Sequence, residues 1–499
     1  MYIGGLDIGT TGCKITVFDE KGNQLFTTYR DYPIQRDASA HEIDANAILN
    51  SVYELLSEAA KDYPVISGIG VTSFGETFVA IDEEGTPLRK SMLYTDPRGA
   101  KQVKEICEKI DPMKAAEISG INPHEMYSLP KLMWIRENEP EIFKQIKYVL
   151  QIEDFIVYKL TGVRQIDYSL ATRTMGFDIK NLCWSEEIFA AADISTDLFS
   201  TPVPSGTVAG PITEEASKKT GLTQETVIVS ISQDQIAAAV GAGVFTSDIA
   251  VDGAGTVQCM TPVYDEIPDM KAMVNGNFAV VPYVVPGKYV CYAFSYTGGA
   301  LMQWCTGTLA KQEKVLAKEK GISVNQYLEE QYAEKRGDVP TGLLVLPHFA
   351  GAATPYMDTG SKGTVLGLTT DSDVADIYKA CMEGVVYEMV TNYEFLKPSG
   401  VHFTKLHATG GGAHSKVWMQ MKADMLNKEI VSLETVDAGT VGSAMLTGIA
   451  VGAFNDLEEA AGIMVKPMAT YKPNLEKHNE YMKIYERYSK VYDAVRPLI

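Results

Sequence analysis

Two segments in different halves of the chain pair a carboxylate with small and hydroxyl residues between apolar runs. Leu6-Asp7-Ile8-Gly9-Thr10-Thr11-Gly12 enters Lys14-Ile15-Thr16-Val17-Phe18, and Val251-Asp252-Gly253-Ala254-Gly255-Thr256 enters Val257-Gln258-Cys259-Met260. The alternation on both sides predicts β-hairpins, and the small residues let backbone N–H groups and hydroxyls converge on an anion. Ordinary hairpin turns also use Gly and Thr, so one such segment says little. Two, one per half, point to a duplicated domain that grips a nucleotide from both sides. A third candidate, Asp234, closes an apolar strand and precedes Ile236-Ala237-Ala238-Ala239. A carboxylate there can cap a helix or serve as a base in a cleft, and the residues alone leave both open.

The elements that must position these groups follow from periodicity. Residues 1 to about 35 read as strands joined by the turn Asp19-Glu20-Lys21-Gly22-Asn23. Residues 44–62 form an amphipathic helix whose Ile48, Val52, Leu55 and Leu56 share one face. Ile66–Thr72 is a strand, and Phe78–Asp82, the turn Glu83-Glu84-Gly85 and Leu88–Tyr94 make a further hairpin. Helices dominate from residue 98 to about 160, and Glu225–Ser230 is a buried strand ending at Gln233-Asp234-Gln235. The second half repeats the order, with strands near 249–262, 277–283, 288–295 and 342–347, a helix over 371–397, the segment 406–412, a helix from Lys416, a strand at 429–433 and a helical tail. A sheet of hairpins with interleaved helices, present twice, predicts an α/β protein of two actin-like domains, the ribonuclease H-like architecture of sugar kinases, chaperone ATPases and actin, with a central cleft. The expected division is 1–245 and 246–499, joined by a hinge near 245.

Composition bounds the partners. At 499 residues the chain exceeds one hydrophobic core and fits two domains of about 200–250 residues. No stretch approaches the roughly 20 apolar residues of a membrane span, so no membrane partner is expected. No basic region followed by an apolar run stands at the N-terminus, which makes a cytoplasmic location the expectation. The net charge of −20 argues against nucleic acid, whose phosphates need a basic surface. Seven cysteines without paired spacing predict reduced thiols, neither a zinc site nor a disulfide framework.

Met126-Tyr127-Ser128-Leu129-Pro130-Lys131-Leu132-Met133-Trp134-Ile135-Arg136-Glu137-Asn138 resembles the first signature of the FGGY carbohydrate kinases. Gly410-Gly411-Gly412-Ala413-His414-Ser415, continuing through Trp418-Met419-Gln420 to Asp424 and Asn427, resembles the second. Asp7-Ile8-Gly9-Thr10-Thr11, Tyr94-Thr95-Asp96-Pro97-Arg98, Leu160-Thr161-Gly162, Asp234-Gln235, Gly298-Gly299 with Gln303-Trp304, and Glu383-Gly384 follow the family's order.

The resemblance implies an ATP- and Mg²⁺-dependent kinase acting on a small sugar or polyol, as a possible homodimer. It makes Asp234 the general base, Asp7 the Mg²⁺-facing carboxylate, and Thr10, Thr11 and Lys14 phosphate contacts. Gly255 and Thr256 become the second phosphate loop. Gly299, Gln303, Gly411, Gly412 and Ser415 fall where relatives hold the nucleoside, and Ser415 stands where some carry Asn. Glu76, Thr77, Asp96, Asp234 and Gln235 fall on the sugar side.

There the chain departs from its relatives. Ser73-Phe74-Gly75-Glu76-Thr77 stands where xylulose kinases carry Gln-Met-His and glycerol kinases carry Asn-Gln-Arg-Glu-Thr. Ser39-Ala40-His41-Glu42-Ile43-Asp44 lacks a Gly-Trp start, and Gly351-Ala352-Ala353-Thr354-Pro355 lacks the Gly-Glu-Arg that often precedes Thr-Pro. Glu76 interrupts an apolar strand and needs a partner, either a substrate hydroxyl or a structural Arg such as Arg98. The expected substrates are, in order, a pentulose such as xylulose, a sugar acid such as gluconate, and glycerol. The competing class is a non-catalytic actin-like ATPase or sugar-binding regulator.

Overall fold

A computed structural model describes residues 1–37, 40–434 and 437–499; Ser39 of the 39–44 segment therefore lies outside the described residues. Strands β1 (Tyr2–Ile8), β2 (Gly12–Asp19) and β3 (Gln24–Asp31) form an antiparallel meander, and α1 (Ala45–Ala60) covers it with Ile48, Val52, Leu55 and Leu56 buried. Asp44 caps α1 by accepting from Asn46 N at 2.9 Å. Strand β4 (Gly68–Ser73) joins β1 in parallel, β5 (Thr207–Pro211) forms an edge, and β6 (Val227–Gln233) lies between them, in the order β5-β6-β4-β1-β2-β3.

The second sheet repeats this plan. Strand β7 (Ile249–Ala254) pairs antiparallel with β8 (Gln258–Tyr264), and β9 (Val280–Pro282), β10 (Tyr289–Cys291) and β11 (Ala293–Ser295) extend that side. On the other side β12 (Lys405–Thr409) lies parallel to β7, followed by β13 (Glu429–Leu433) and β14 (Pro467–Tyr471). Both sheets thus carry a hairpin whose first strand continues into parallel neighbours, and both turns sit at the same end of that strand.

Two helices lie between the sheets: α2 (Asp234–Gly241), directly after β6, and α3 (Ala438–Ala450), after β13. They cross in backbone contact. A β-carbon at Gly442 would collide with the Ala237 carbonyl oxygen, and one at Gly241 with that of Ala438. Ser443 Oγ of α3 donates to the Gly70 carbonyl of β4 at 2.8 Å. Ile3, Val229, Ile236 and Val240 share one buried cluster with Val251, Val431, Ala444 and Met445, so an apolar core joins the halves where the sequence suggested only a hinge.

Two other expectations need correction. The expected hairpin over 78–94 is short: Ile81 bridges Pro87 antiparallel and Leu88 N donates to Ala80 O at 2.9 Å, but Phe78–Ile81 forms its ladder with Tyr148–Gln151 and Ser91–Met92 pairs with His41–Ile43. The turn closes through Gly85 N to Asp82 O at 3.1 Å and Asp82 N to Thr86 O at 3.1 Å, and beyond Leu88 the second arm leaves for a different partner. The tail contains an edge strand, β14, before its helix Leu475–Tyr488. Among the described residues no helix is long and apolar enough to cross a membrane, all seven cysteines are free thiols, and five of them are buried.

Candidate active site

The β1–β2 register sets Asp7 opposite Lys14, and the turn between them closes through Gly9 N to Gly12 O at 2.9 Å. Thr10 is half-buried and Thr11 exposed at its tip. Asp7 faces the first turn of α3, where a β-carbon on Gly439 would stand 2.6 Å from its Oδ2. Its Oδ1 is buried with no hydrogen-bond partner. Burial above all, then the charges of Asp234 and Asp437, push the Asp7 carboxyl well above the usual range, and Lys14 opposes them. Lys14 Nζ lies 2.6 Å from Asp437 Oδ2.

Asp437 was not among the sequence candidates. Its signal was present: Asp437-Ala438-Gly439-Thr440 is a third carboxylate followed by Gly-Thr, opening α3 as the first opens a turn.

Asp234 is not the helix cap. Gln233 holds that position, and Asp234 is the first residue of α2, its Oδ1 accepting from Gln235 N at 2.7 Å. Gln233 N donates to Ser169 Oγ at 2.9 Å, and Ser169 Oγ donates to buried Asp167 at 3.0 Å. A register shift between Ser230 and Ser232 bends β6 just before Asp234, and Glu153 accepts from Ile231 N there at 3.1 Å. Burial first, then Glu76, push the Asp234 carboxyl up to about 7, against the Gln235 amide and Arg173.

On the sugar side, Glu76 finds an Arg partner, one of the two kinds the sequence allowed, but it is Arg173 and not Arg98. Its Oε1 accepts from Arg173 Nε at 2.5 Å and also contacts Arg173 Nη2, while Arg98 is engaged elsewhere. Asp96 has both oxygens committed: Arg98 donates from Nε at 2.8 Å and Nη2 at 2.7 Å, and His41 N at 2.8 Å. Burial raises its pKa, but these bonds outweigh it and hold the carboxyl below the usual range. Asp96 is thus fully occupied as a brace for Arg98, which leaves it no oxygen for a sugar in this arrangement. Thr77 is buried with an unpartnered hydroxyl, and Gln235 stands half-buried beside Asp234. In the variant 351–355 segment, Thr354 Oγ1 accepts from Phe294 N at 2.8 Å and so ties it to β11.

A cavity of about 570 Å³ is lined by Gly255, Thr256, Gly299, Gln303, Gly411, Gly412 and Ser415, all seven sequence candidates for the nucleoside and second phosphate loop in the C-terminal half. Glu329, Asn325, Tyr378, Met382 and Trp418 are among the other residues that line it. Ser415 caps the helix Lys416–Leu426 by accepting from Trp418 N at 3.1 Å, and its hydroxyl donates to Glu329 Oε1 at 2.9 Å. The two hairpins differ in their carboxylates. Asp252 is fully buried and held by Lys422 Nζ at 2.7 Å and Gln258 Nε2 at 2.6 Å, so unlike Asp7 it has no oxygen left for a cation.

Among the described residues, no three His, Cys, Asp or Glu side chains gather closely enough to cage a metal. Asp7, with an orphaned oxygen and two neighbouring carboxylates, fits a cation shared with phosphate oxygens and water.

The N-terminal domain of the FGGY family of carbohydrate kinases matches residues 2–241 and its C-terminal domain residues 254–451. A xylulose kinase of Lactococcus lactis subsp. lactis is 28% identical over 500 residues, covering 98% of this chain and 96% of that protein. A gluconokinase of Bacillus subtilis is 27% identical over 514 residues, covering 100% and 99%. The structure of ligand-bound xylulose kinase from Lactobacillus acidophilus superposes with a TM-score of 0.88 at 23% identity, over 99% of this chain and 98% of that one, which shows a shared fold. The chain belongs to the FGGY family of carbohydrate kinases, ATP-dependent phosphotransferases that act on hydroxyl groups.

Proposed function

We propose that this kinase phosphorylates a hydroxyl of a pentulose such as xylulose, with Asp234 as general base. The observation that carries the reading is the place of Asp234. It is held by β6 and α2, perturbed by the sugar-side pair Glu76–Arg173, and itself perturbs Asp7 on the phosphate side. A carboxylate whose proton affinity lies near neutral pH can accept the hydroxyl proton as that oxygen attacks the γ-phosphorus. Phosphoryl transfer rests mainly on alignment and charge stabilisation, which a base fixed at a helix start supplies.

Residues 1–245 carry the base and the sugar side, with Glu76, Thr77 and Gln235 as the polar groups nearest at hand. Residues 246–499 carry the nucleotide, whose base and ribose occupy the cavity of Gly299, Gln303, Gly411, Gly412 and Ser415 while its phosphates reach Gly255 and Thr256. Thr10, Thr11 and Lys14 meet the phosphates from the other side. Asp7 holds Mg²⁺, which when bound neutralises phosphate charge. A cytoplasmic setting supplies the ATP. Xylulose leads because relatives carrying that name match 98–100% of this chain at 26–28% identity.

ADP release with Mg²⁺-ATP across pentuloses, hexuloses, polyols and sugar acids, with Asp234→Asn beside the native chain, tests this. Turnover on a pentulose that disappears in the variant is expected. Turnover surviving in Asp234→Asn would remove the base from the mechanism.

A further inference from the structure

Arg173 belongs to none of the motifs that point to the cleft, yet four features of the sugar side are built around it. Its Nε and Nη2 both engage Glu76 Oε1. Its guanidinium lies 5.3 Å from the Tyr127 ring and 5.7 Å from the Tyr292 ring. Gly75 gives it room, since a β-carbon there would stand 2.9 Å from Arg173 Cγ. Glu76 itself has φ +65, a left-handed backbone that a non-glycine rarely adopts, and Ser128 Oγ holds its carbonyl at 2.8 Å.

Three polar groups around this pair lack any protein partner while buried: Arg173 Nη1, the Tyr292 hydroxyl and the Thr77 hydroxyl. An ion pair serving packing alone would be expected to satisfy its donors within the protein. Here a strained residue, an opened backbone and unmet donors meet around one guanidinium, whose charge also bears on Asp234. Strain and unmet polarity of this kind concentrate at ligand sites.

We infer that Arg173 determines substrate specificity: with Glu76 it forms a donor and acceptor pair that engages neighbouring hydroxyls of a neutral polyhydroxylated substrate and turns away sugar acids. A guanidinium only donates and a carboxylate only accepts, whereas a vicinal diol does both. Glu76 already offsets the charge of Arg173, and Asp234 adds a further negative charge when it acts as base. A substrate carboxylate would therefore meet two carboxylates and a guanidinium that is already paired. This rests on the kinase reading above and narrows its substrate class.

The test compares kcat/KM for neutral ketoses and polyols with that for aldonates of equal carbon number, in the native chain and in Arg173→Met, Arg173→Lys and Glu76→Gln, with ADP affinity as the check on folding. The native chain should prefer the neutral substrate. Arg173→Met should raise its KM by about tenfold or more with ADP affinity unchanged, and Arg173→Lys should recover only part of the loss, because the planar fork is gone. Glu76→Gln should raise the ratio of aldonate to neutral turnover by about tenfold.

A native preference for the aldonate, an unchanged KM in Arg173→Met, or an unchanged ratio in Glu76→Gln would each overturn the inference. Should the variants lose ADP binding, the native ranking decides alone. Best turnover on a neutral hexulose or polyol would overturn the pentulose reading and leave the role of Arg173 standing, whereas turnover on no compound would overturn both.

Discussion

Lys14 and Asp437 form an ion pair 2.6 Å long that ties the first hairpin to the start of α3, beside Asp7. Both side chains are partly exposed, so the pair contributes about 0–1 kcal/mol to stability. Under the proposed function its worth lies in aiming a cation at the phosphate side. Lys14→Met should lower kcat about 100-fold with an unchanged thermal midpoint, and steady-state kinetics beside a melting curve would show it. A matching drop in midpoint would make the pair structural.

Asp234 is held in a state that favours its protonated form. Its folded pKa lies above the unfolded value, so its contribution to stability is present at low pH and lost as pH rises through about 7. Asp234→Asn should therefore cost about 10²–10⁴ in turnover and yet stabilise the fold by on the order of 1–3 kcal/mol at pH 8, a gain that fades below pH 4. Thermal melts at pH 4 and 8 separate the two effects.

The same carboxylate sets a pH profile. kcat/KM should rise through about pH 7 and level off above it, because the base must be ionised in the free enzyme. Glu76 pushes the Asp234 pKa up, so Glu76→Gln should move the inflection to lower pH, and Arg173→Met should move it to higher pH. An inflection that ignores both changes would place the titrating group elsewhere.

Much of this arrangement was legible in the chain. The two hairpins could be read because alternation on both sides brackets small residues, a purely local pattern. Seven of the expected nucleotide-side residues surround one cavity because two well-spaced segments, 255–256 and 410–415, border it together with α-helical Gly299 and Gln303. The failures were long-range. Phe78–Ile81 has the composition of a strand, but composition does not name its partner, Tyr148–Gln151. Arg173 carries no local pattern that announces a role, Asp437 has its Gly-Thr pattern but not the flanking alternation of the two hairpins, and the folded chain brings both to the cleft. Strand β14 is an exposed edge, so it lacks the apolar face that marks strands in a sequence.

Gly411 gives a sharp test of the cavity. A β-carbon there meets nothing within 4 Å, whereas one on Gly412 would stand 2.7 Å from Trp418 Cζ3. Gly411→Ala should leave the thermal midpoint near native, and a rise in the KM for ATP would place the nucleotide against it. Unchanged ATP kinetics would move the nucleotide away from this wall.

The second hairpin makes a stability prediction. Lys422 and Asp252 are fully buried and paired at 2.7 Å. Lys422→Met leaves the carboxylate buried without its charge partner, which should destabilise the chain by about 3–5 kcal/mol, seen as an earlier thermal transition. Adding Asp252→Asn should recover part of that loss, since the stranded charge is then gone.

The contact between α2 and α3 has a mechanical meaning. The two helices touch backbone to backbone at Gly241 and Gly442, with no side chain between them to act as a spacer. One helix begins with Asp234 and the other follows Asp437, the partner of Lys14. A swing of the two lobes about this crossing has almost no lever arm at the crossing itself. The crossing is therefore a place where even one added methyl group would force the two halves apart.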